Sequence, residues 1–175
     1  IITLNTGKLN PETEALIAAT NARYQTELEV FHPIEADSQA FEAQFGTTAM
    51  YDSVELRRQC CHIRKIEPLN RALGNAPAWL TGQRRSQSDT RSELNFEEHD
   101  SGRNIAKFNP IFDWEELDVW AYAQAHDVPL NDLYHQGYPS IGCEPCTRPV
   151  KEGENIRAGR WWWESKDSKE CGLHK

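Results

Sequence analysis

The chain opens on a short apolar run, IITL, that breaks at once into polar residues. Its brevity and β-branched content predict a strand. Asn10 offers an N-cap side chain and Pro11 suits the first helical position, which predicts a helix to about Ala22. LEVFH alternates apolar and polar positions and predicts a second strand ending at Pro33. A strand, a helix and a strand at this spacing make a βαβ unit, and therefore a parallel sheet.

Further on, a short helix is predicted over Ser38 to Phe45, stopping at Gly46. Another is predicted to start near Ser53 and run through the adjacent cysteines Cys60 and Cys61. AWLTG is a third strand candidate. Gln83 to Ser101 is polar and aperiodic and reads as a loop, and a loop of that length is usually functional or mobile. Asp113 and Glu116 have the spacing of a capping box, and Leu117, Trp120, Ala121 and Ala125 give the helix behind them an apolar face. After Pro129 the pattern becomes irregular and rich in Gly and Pro. There are no internal repeats and no low-complexity tracts.

The 175 residues suit one domain of ordinary size. With 38% hydrophobic and 26% charged residues the chain reads as globular rather than disordered. Apolar runs are too short for a membrane span and no signal peptide is visible, so the expected compartment is the cytoplasm. The first residue is Ile1, not Met, which suggests a fragment or a processed product. The net charge of −8 disfavours a nucleic-acid partner. That charge is uneven: RRQCCHIRK and GQRRSQSDTR are basic islands, whereas FEEHD and FDWEELD are acidic. Basic islands in an acidic chain point to a small anionic ligand, although each island alone also fits an ordinary solvated surface.

The five cysteines divide as four and one. Cys60 and Cys61 are adjacent, Cys143 and Cys146 form C-E-P-C, and Cys171 stands alone near the end. The pattern suggests a four-thiolate metal site and one free thiol, with a disulfide and buried thiols as the alternative. Successive helical residues point about 100° apart, so the sulfurs of Cys60 and Cys61 diverge. Zinc needs four sulfurs at one point, whereas a [4Fe-4S] cluster spreads its irons over a larger volume, so the spacing favours the cluster. Arg64 and Lys65 lie four residues after Cys60 and Cys61 and would share a face with the sulfurs. Cations there would stabilise an anionic cluster and could couple it to a bound anion.

LNTGKLNPETEALI, CCHIRKIEPL, WLTGQRRSQSDTR, C-E-P-C and the terminal ECGLH together resemble the assimilatory adenylyl-sulfate (APS) reductases of the phosphoadenylyl-sulfate (PAPS) reductase family. The resemblance covers essentially the whole chain, in order. It implies an α/β fold with a parallel twisted sheet flanked by helices, adenine nucleotide alpha hydrolase-like, as a single domain over residues 1–175. An irregular cluster-binding region and a mobile tail are expected at the C-terminus. The family normally begins with a strand and a Gly/Ser-rich phosphate loop, and nothing similar precedes IITLNTG, so the chain is expected to be an N-terminally incomplete part of a longer enzyme.

The activity implied is thioredoxin-dependent reduction of APS to sulfite and AMP in sulfate assimilation. Cys171 is the implied nucleophile, forming a thiosulfonate, with Lys65 and His174 beside it in the chemistry. Lys65, Arg84, Arg85, Arg91, Arg157, Arg160 and His174 are expected to bind substrate. Cys60, Cys61, Cys143 and Cys146 are expected to hold a [4Fe-4S] cluster. The reductant would be thioredoxin or a glutaredoxin-like protein, and a homo-oligomer is left open. Trp161–Trp163 is expected to pack or to face a partner. Three other readings stay open: an enzyme that also accepts PAPS, a zinc-stabilised interaction module without catalysis, and a non-catalytic remnant.

Overall fold

Residues 1–165, 169 and 172–173 are described by the computed structural model of the chain. β1 (Ile2–Leu4) pairs in parallel with β2 (Glu29–Phe31), and α1 (Pro11–Tyr24) crosses between them, as the βαβ reading requires. Asn10 is extended before α1, but its side chain makes no cap. Instead its amide donates to the Gly142 carbonyl at 3.3 Å. The residue chosen for a local role thus ties the first helix to the C-E-P-C segment. α1 ends on Gln25, which takes a left-handed conformation with φ of 48°.

α2 (Glu35–Phe45) begins a turn earlier than Ser38 and stops at Gly46, whose φ of 91° a side chain would disfavour. α3 (Val54–Cys61) starts at Ser53, whose hydroxyl accepts from the Leu56 N–H at 3.1 Å. The chain then widens into a π-helical stretch, His62–Ile66, and tightens again into α4 (Glu67–Leu73). π-helical turns inside helices often mark functional sites.

The second sheet has the order β3 (Ala78–Leu80), β5 (Ile105–Phe108), β4 (Glu97–Asp100). β3 and β5 are parallel, and β4 is antiparallel to β5. Here the loop expected over Gln83 to Ser101 is corrected. It contains two short 3-10 turns, Arg85–Gln87 and Asp89–Arg91, and ends in β4. The strand was hidden because its sequence, EEHD, is acidic. Two of its charges are paired: Glu98 meets Lys107 at 2.9 Å and Asp100 meets Arg103 at 2.7 Å.

α5 (Glu116–Ala125) is capped by Glu115, whose N–H donates to Asp118 at 2.8 Å, and not by Asp113. Its expected apolar face is also corrected. Leu117 is 82% exposed, and Ala123 is the buried residue.

The interior is unusual in composition. Met50, Cys61, Cys143, Cys146 and Trp161 form one buried cluster, and Phe41, Ala49 and Cys60 form another. All four cysteines of the two pairs are therefore core residues. No helix among the described residues is long and apolar enough to cross a membrane.

Candidate active site and metal centre

Cys60 and Cys61 occupy the last turn of α3, and Cys143 precedes and Cys146 ends a single 3-10 turn (Glu144–Cys146) that Pro145 helps to start. The turn closes on itself through the Cys146 N–H to the Cys143 carbonyl at 2.9 Å. Two long-range contacts bring it to the segment that follows β1. The Glu144 N–H donates to the Lys8 carbonyl at 2.8 Å, and Thr6 Oγ1 shares a hydrogen bond with Cys143 Sγ at 3.2 Å. The four cysteines line one cavity together with Lys8, Met50, Arg57, Arg64 and Lys65. All four are free thiols, so no disulfide joins them.

The cavity is buried and its charge is managed by cations. Burial alone pushes the Cys143 thiol up, but Lys65, the Thr6 hydroxyl and Arg160 outweigh it, and Cys143 lies below its ordinary value. Cys146 is pushed up to about 12, by burial first and then by the neighbouring Cys143. Burial likewise raises Cys60, against the opposing pull of Arg64. The Arg57 guanidinium hydrogen-bonds Cys61. Lys65 and Arg64 do not play equal parts. Arg64 is committed to the Thr6 carbonyl at 2.9 Å and to Glu42 at 2.8 Å, whereas the Lys65 charge is the strongest pull lowering the Cys143 thiol.

The donor set fits an iron–sulfur cluster. It offers four buried thiols, cations at the sulfurs, and a buried donor, Trp161 Nε1, with no hydrogen-bond partner among the described residues. No three Cys, His, Asp or Glu side chains among the described residues already converge on a single ion position. Four thiols lining one cavity are the donor set that a [4Fe-4S] cluster takes.

A second pocket gathers the arginines. Arg84 and Arg91 come from the loop after β3, and Arg157 and Arg160 come from the segment after C-E-P-C. Gln87, Trp120, Tyr134 and Ser140 also line it. The loop is held from below by Asn109, which is wholly buried, accepts from Thr81 and donates to the Asn95 carbonyl at 2.8 Å. Arg91 bonds Gln87, and the Arg84 N–H donates to the same Gln87 side chain at 3.1 Å. Arg85 lies outside the pocket. Its guanidinium stacks on Phe112 at 4.7 Å and donates to the Leu94 carbonyl at 2.7 Å.

The tail is met at two of its described residues. Arg157 donates to the Lys169 carbonyl at 3.0 Å, and Gly172 lies against Ile66. Cys171 and His174 lie outside the described residues.

Sequence reasoning missed Thr6, Arg57 and Glu164. Thr6 sits in the LNTG stretch that carries part of the family resemblance, which was its available signal. Arg57 falls in the basic island RRQCCHIRK, but its pairing with Glu164 left no signal, since an ion pair across 107 residues leaves no local pattern.

Comparison with known proteins places the fold first. A solved PAPS reductase from Candida auris, in a phosphate complex, superimposes with a TM-score of 0.68 at 30% identity, over 82% of this chain and 68% of that one. The architecture is thus PAPS reductase-like, an adenine nucleotide alpha hydrolase-type α/β fold. The family model for the phosphoadenosine phosphosulfate reductase domain matches residues 1–149. An adenosine 5'-phosphosulfate reductase of Neisseria meningitidis serogroup B is 61% identical over the whole chain and 72% of its own length. One from Burkholderia cepacia is 60% identical over 99% of the chain and 70% of its own length. The chain belongs to the PAPS reductase family, on its adenylyl-sulfate reductase side, and is an oxidoreductase that reduces APS in sulfate assimilation.

Proposed function

We propose that the reduction proceeds through a thiosulfonate on Cys171, with thioredoxin or a similar dithiol protein as reductant. The observation that carries this reading is the convergence of Arg84, Arg91, Arg157 and Arg160 on one pocket, two of whose cations also reach further. Arg160 acts on Cys143, and Arg157 holds the backbone two residues before Cys171.

A phosphosulfate carries its charge on planar sets of oxygens, which forked guanidinium donors match. Four arginines neutralise that charge and let an anionic thiolate approach. The Cys171 thiolate attacks the sulfate sulfur. An S–S bond forms, the bond from sulfur to the bridging oxygen breaks, and AMP leaves with the electron pair. A dithiol thiolate then attacks Cys171 Sγ, and sulfite departs with the S–S electrons. The resulting mixed disulfide is resolved by the second thiol, which restores Cys171. The dithiol supplies both electrons.

Cys60, Cys61, Cys143 and Cys146 would hold a [4Fe-4S] cluster. When bound, it supplies a fixed anionic centre that pins α3 to the C-E-P-C turn. Lys65, which shares the cavity with Cys143 and draws its thiol down, would stabilise that anionic centre. His174 belongs with Cys171 in the terminal motif, as a substrate contact or as a tuner of the thiolate.

The test is to give the full chain APS without reductant and search the Cys171 peptide by mass spectrometry. A sulfonate adduct released by dithiol is expected, and Cys171→Ser should keep its metal and its APS affinity while losing sulfite formation. An adduct on another cysteine, or a fast Cys171→Ser enzyme, overturns the mechanism. PAPS assayed in parallel decides between APS-only and dual use.

A further inference from the structure

Arg160 occupies a junction. It lines the arginine pocket, and its charge acts on Cys143 on the other side. It is mostly buried, so its guanidinium is placed by its surroundings and not by solvent. Its backbone is fixed by an antiparallel bridge to Thr147 and by its N–H to the Arg157 carbonyl at 3.0 Å. Its Nη1 donates to the Ile141 carbonyl at 3.0 Å and reaches the Ser140 hydroxyl at 3.4 Å.

Two neighbours have features that fit this placement. The first is Gly142. Its φ is not positive, so backbone freedom is not the reason for a glycine there. Space is the reason: a Cβ on Gly142 would stand 2.6 Å from Arg160 Cζ and closer still to Nη2. The second is Trp161, buried to 1% exposure and left-handed with φ of 42°, an outlier for so bulky a residue. That backbone holds the indole against two guanidinium groups, Arg160 at 4.7 Å and Arg57 at 4.6 Å. The Trp161 N–H is anchored to the Cys146 carbonyl at 3.1 Å.

We propose that Gly142 and Trp161 are positioning residues that set the Arg160 guanidinium at the phosphosulfate pocket, the glycine by leaving room for it and the indole by stacking on it. The proposal rests on the reading of that pocket as the phosphosulfate site. Neither residue need touch substrate. The group that a Gly142 side chain would meet is the far end of a flexible side chain, so Gly142→Ala moves the guanidinium and spares the backbone.

APS binding to the full chain, measured at equilibrium in the absence of reductant, tests this with a double-mutant cycle. Gly142→Ala is expected to weaken APS binding by about tenfold, the scale of one charge-assisted contact, with metal content and thermal midpoint unchanged. Arg160→Ala should weaken it at least as much, and the double variant should bind no worse than Arg160→Ala alone. Trp161→Phe keeps a ring face and should bind nearly as the parent does, whereas Trp161→Leu should not. If Trp161→Leu fails to fold, the Gly142 cycle still decides. Wild-type binding by Arg160→Ala overturns both the pocket assignment and this inference. Weak binding by Arg160→Ala, with Gly142→Ala either unimpaired or additive to it, overturns the inference alone.

Discussion

Arg57 and Glu164 form a two-pronged ion pair, Nε to Oε1 at 2.8 Å and Nη2 to Oε2 at 2.9 Å, with side chains 0% and 2% exposed. One partner is on the helix that carries Cys60 and Cys61, and the other lies seven residues before Cys171. The pair therefore clasps the root of the tail to the cysteine helix. Removing one partner leaves the other charge buried, which costs ~3–5 kcal/mol. Glu164→Gln is expected to lower the urea midpoint accordingly, and an unchanged midpoint would show that the clasp contributes nothing.

Four thiols in the core make metal binding a matter of stability. If the proposed cluster is bound there, Cys143→Ser and Cys61→Ser should each abolish absorption near 400 nm and lower the thermal midpoint, because the core would lose both the cluster and its packing. Iron and sulfide analysis of the purified variants checks this. A brown, iron-replete Cys143→Ser protein would remove Cys143 from the ligand set.

Lys65 shares the cysteine cavity and its charge acts on Cys143, and the expected consequence is kinetic. Lys65→Ala should keep its metal and slow sulfonation of Cys171 by tenfold or more. The loss of one charge-assisted contact, ~1.5–3 kcal/mol, corresponds to that range. Single-turnover mixing with APS measures the step directly, and a full-rate variant removes the role.

The Glu98 carboxyl responds to acid in a defined direction. Burial works to raise it, but hydrogen bonds from Lys107 and Asn109 prevail and hold it below its ordinary value of 4.5. A carboxyl lower in the folded than in the unfolded chain contributes its full stability above the unfolded value. The contribution fades as pH falls through the lower folded value. Urea midpoints taken from pH 6 down to 3 should therefore drop less steeply below about 4.5 in Glu98→Gln than in the parent. Parallel curves would show that β4 does not depend on this charge.

How much was legible follows from how local each signal is. The βαβ unit, the stop at Gly46 and the start at Ser53 depend on neighbours in sequence, and they stand where the pattern put them. β4 was missed because Glu98 and Asp100 look solvated until Lys107 and Arg103 fold against them. The face of α5 was misread because Leu117 points outward while Ala123, too small to weigh in a periodicity, packs inward. At the site, the cysteine pairs and four of the arginines were readable from motifs, and they do come together as two adjoining sets. Arg85 was not separable from Arg84, since only the stacking on Phe112 distinguishes them. The Arg57–Glu164 clasp was invisible for the reason that any long-range pair is.

The hydrogen bond between Thr6 and Cys143 joins residues 137 apart, and Cys60 and Cys61 lie more than eighty residues before Cys143 and Cys146. During synthesis the first pair is made long before the second. At ~5–20 residues per second, the gap of about eighty residues lasts roughly 4–16 s. For that interval two neighbouring thiols meant for the interior wait at the surface of a nascent chain, open to any oxidant. The chain cannot bury these sulfurs together until Cys143 and Cys146 have been made, so the redox state of the surroundings during translation, and not only after it, bears on how much enzyme is made.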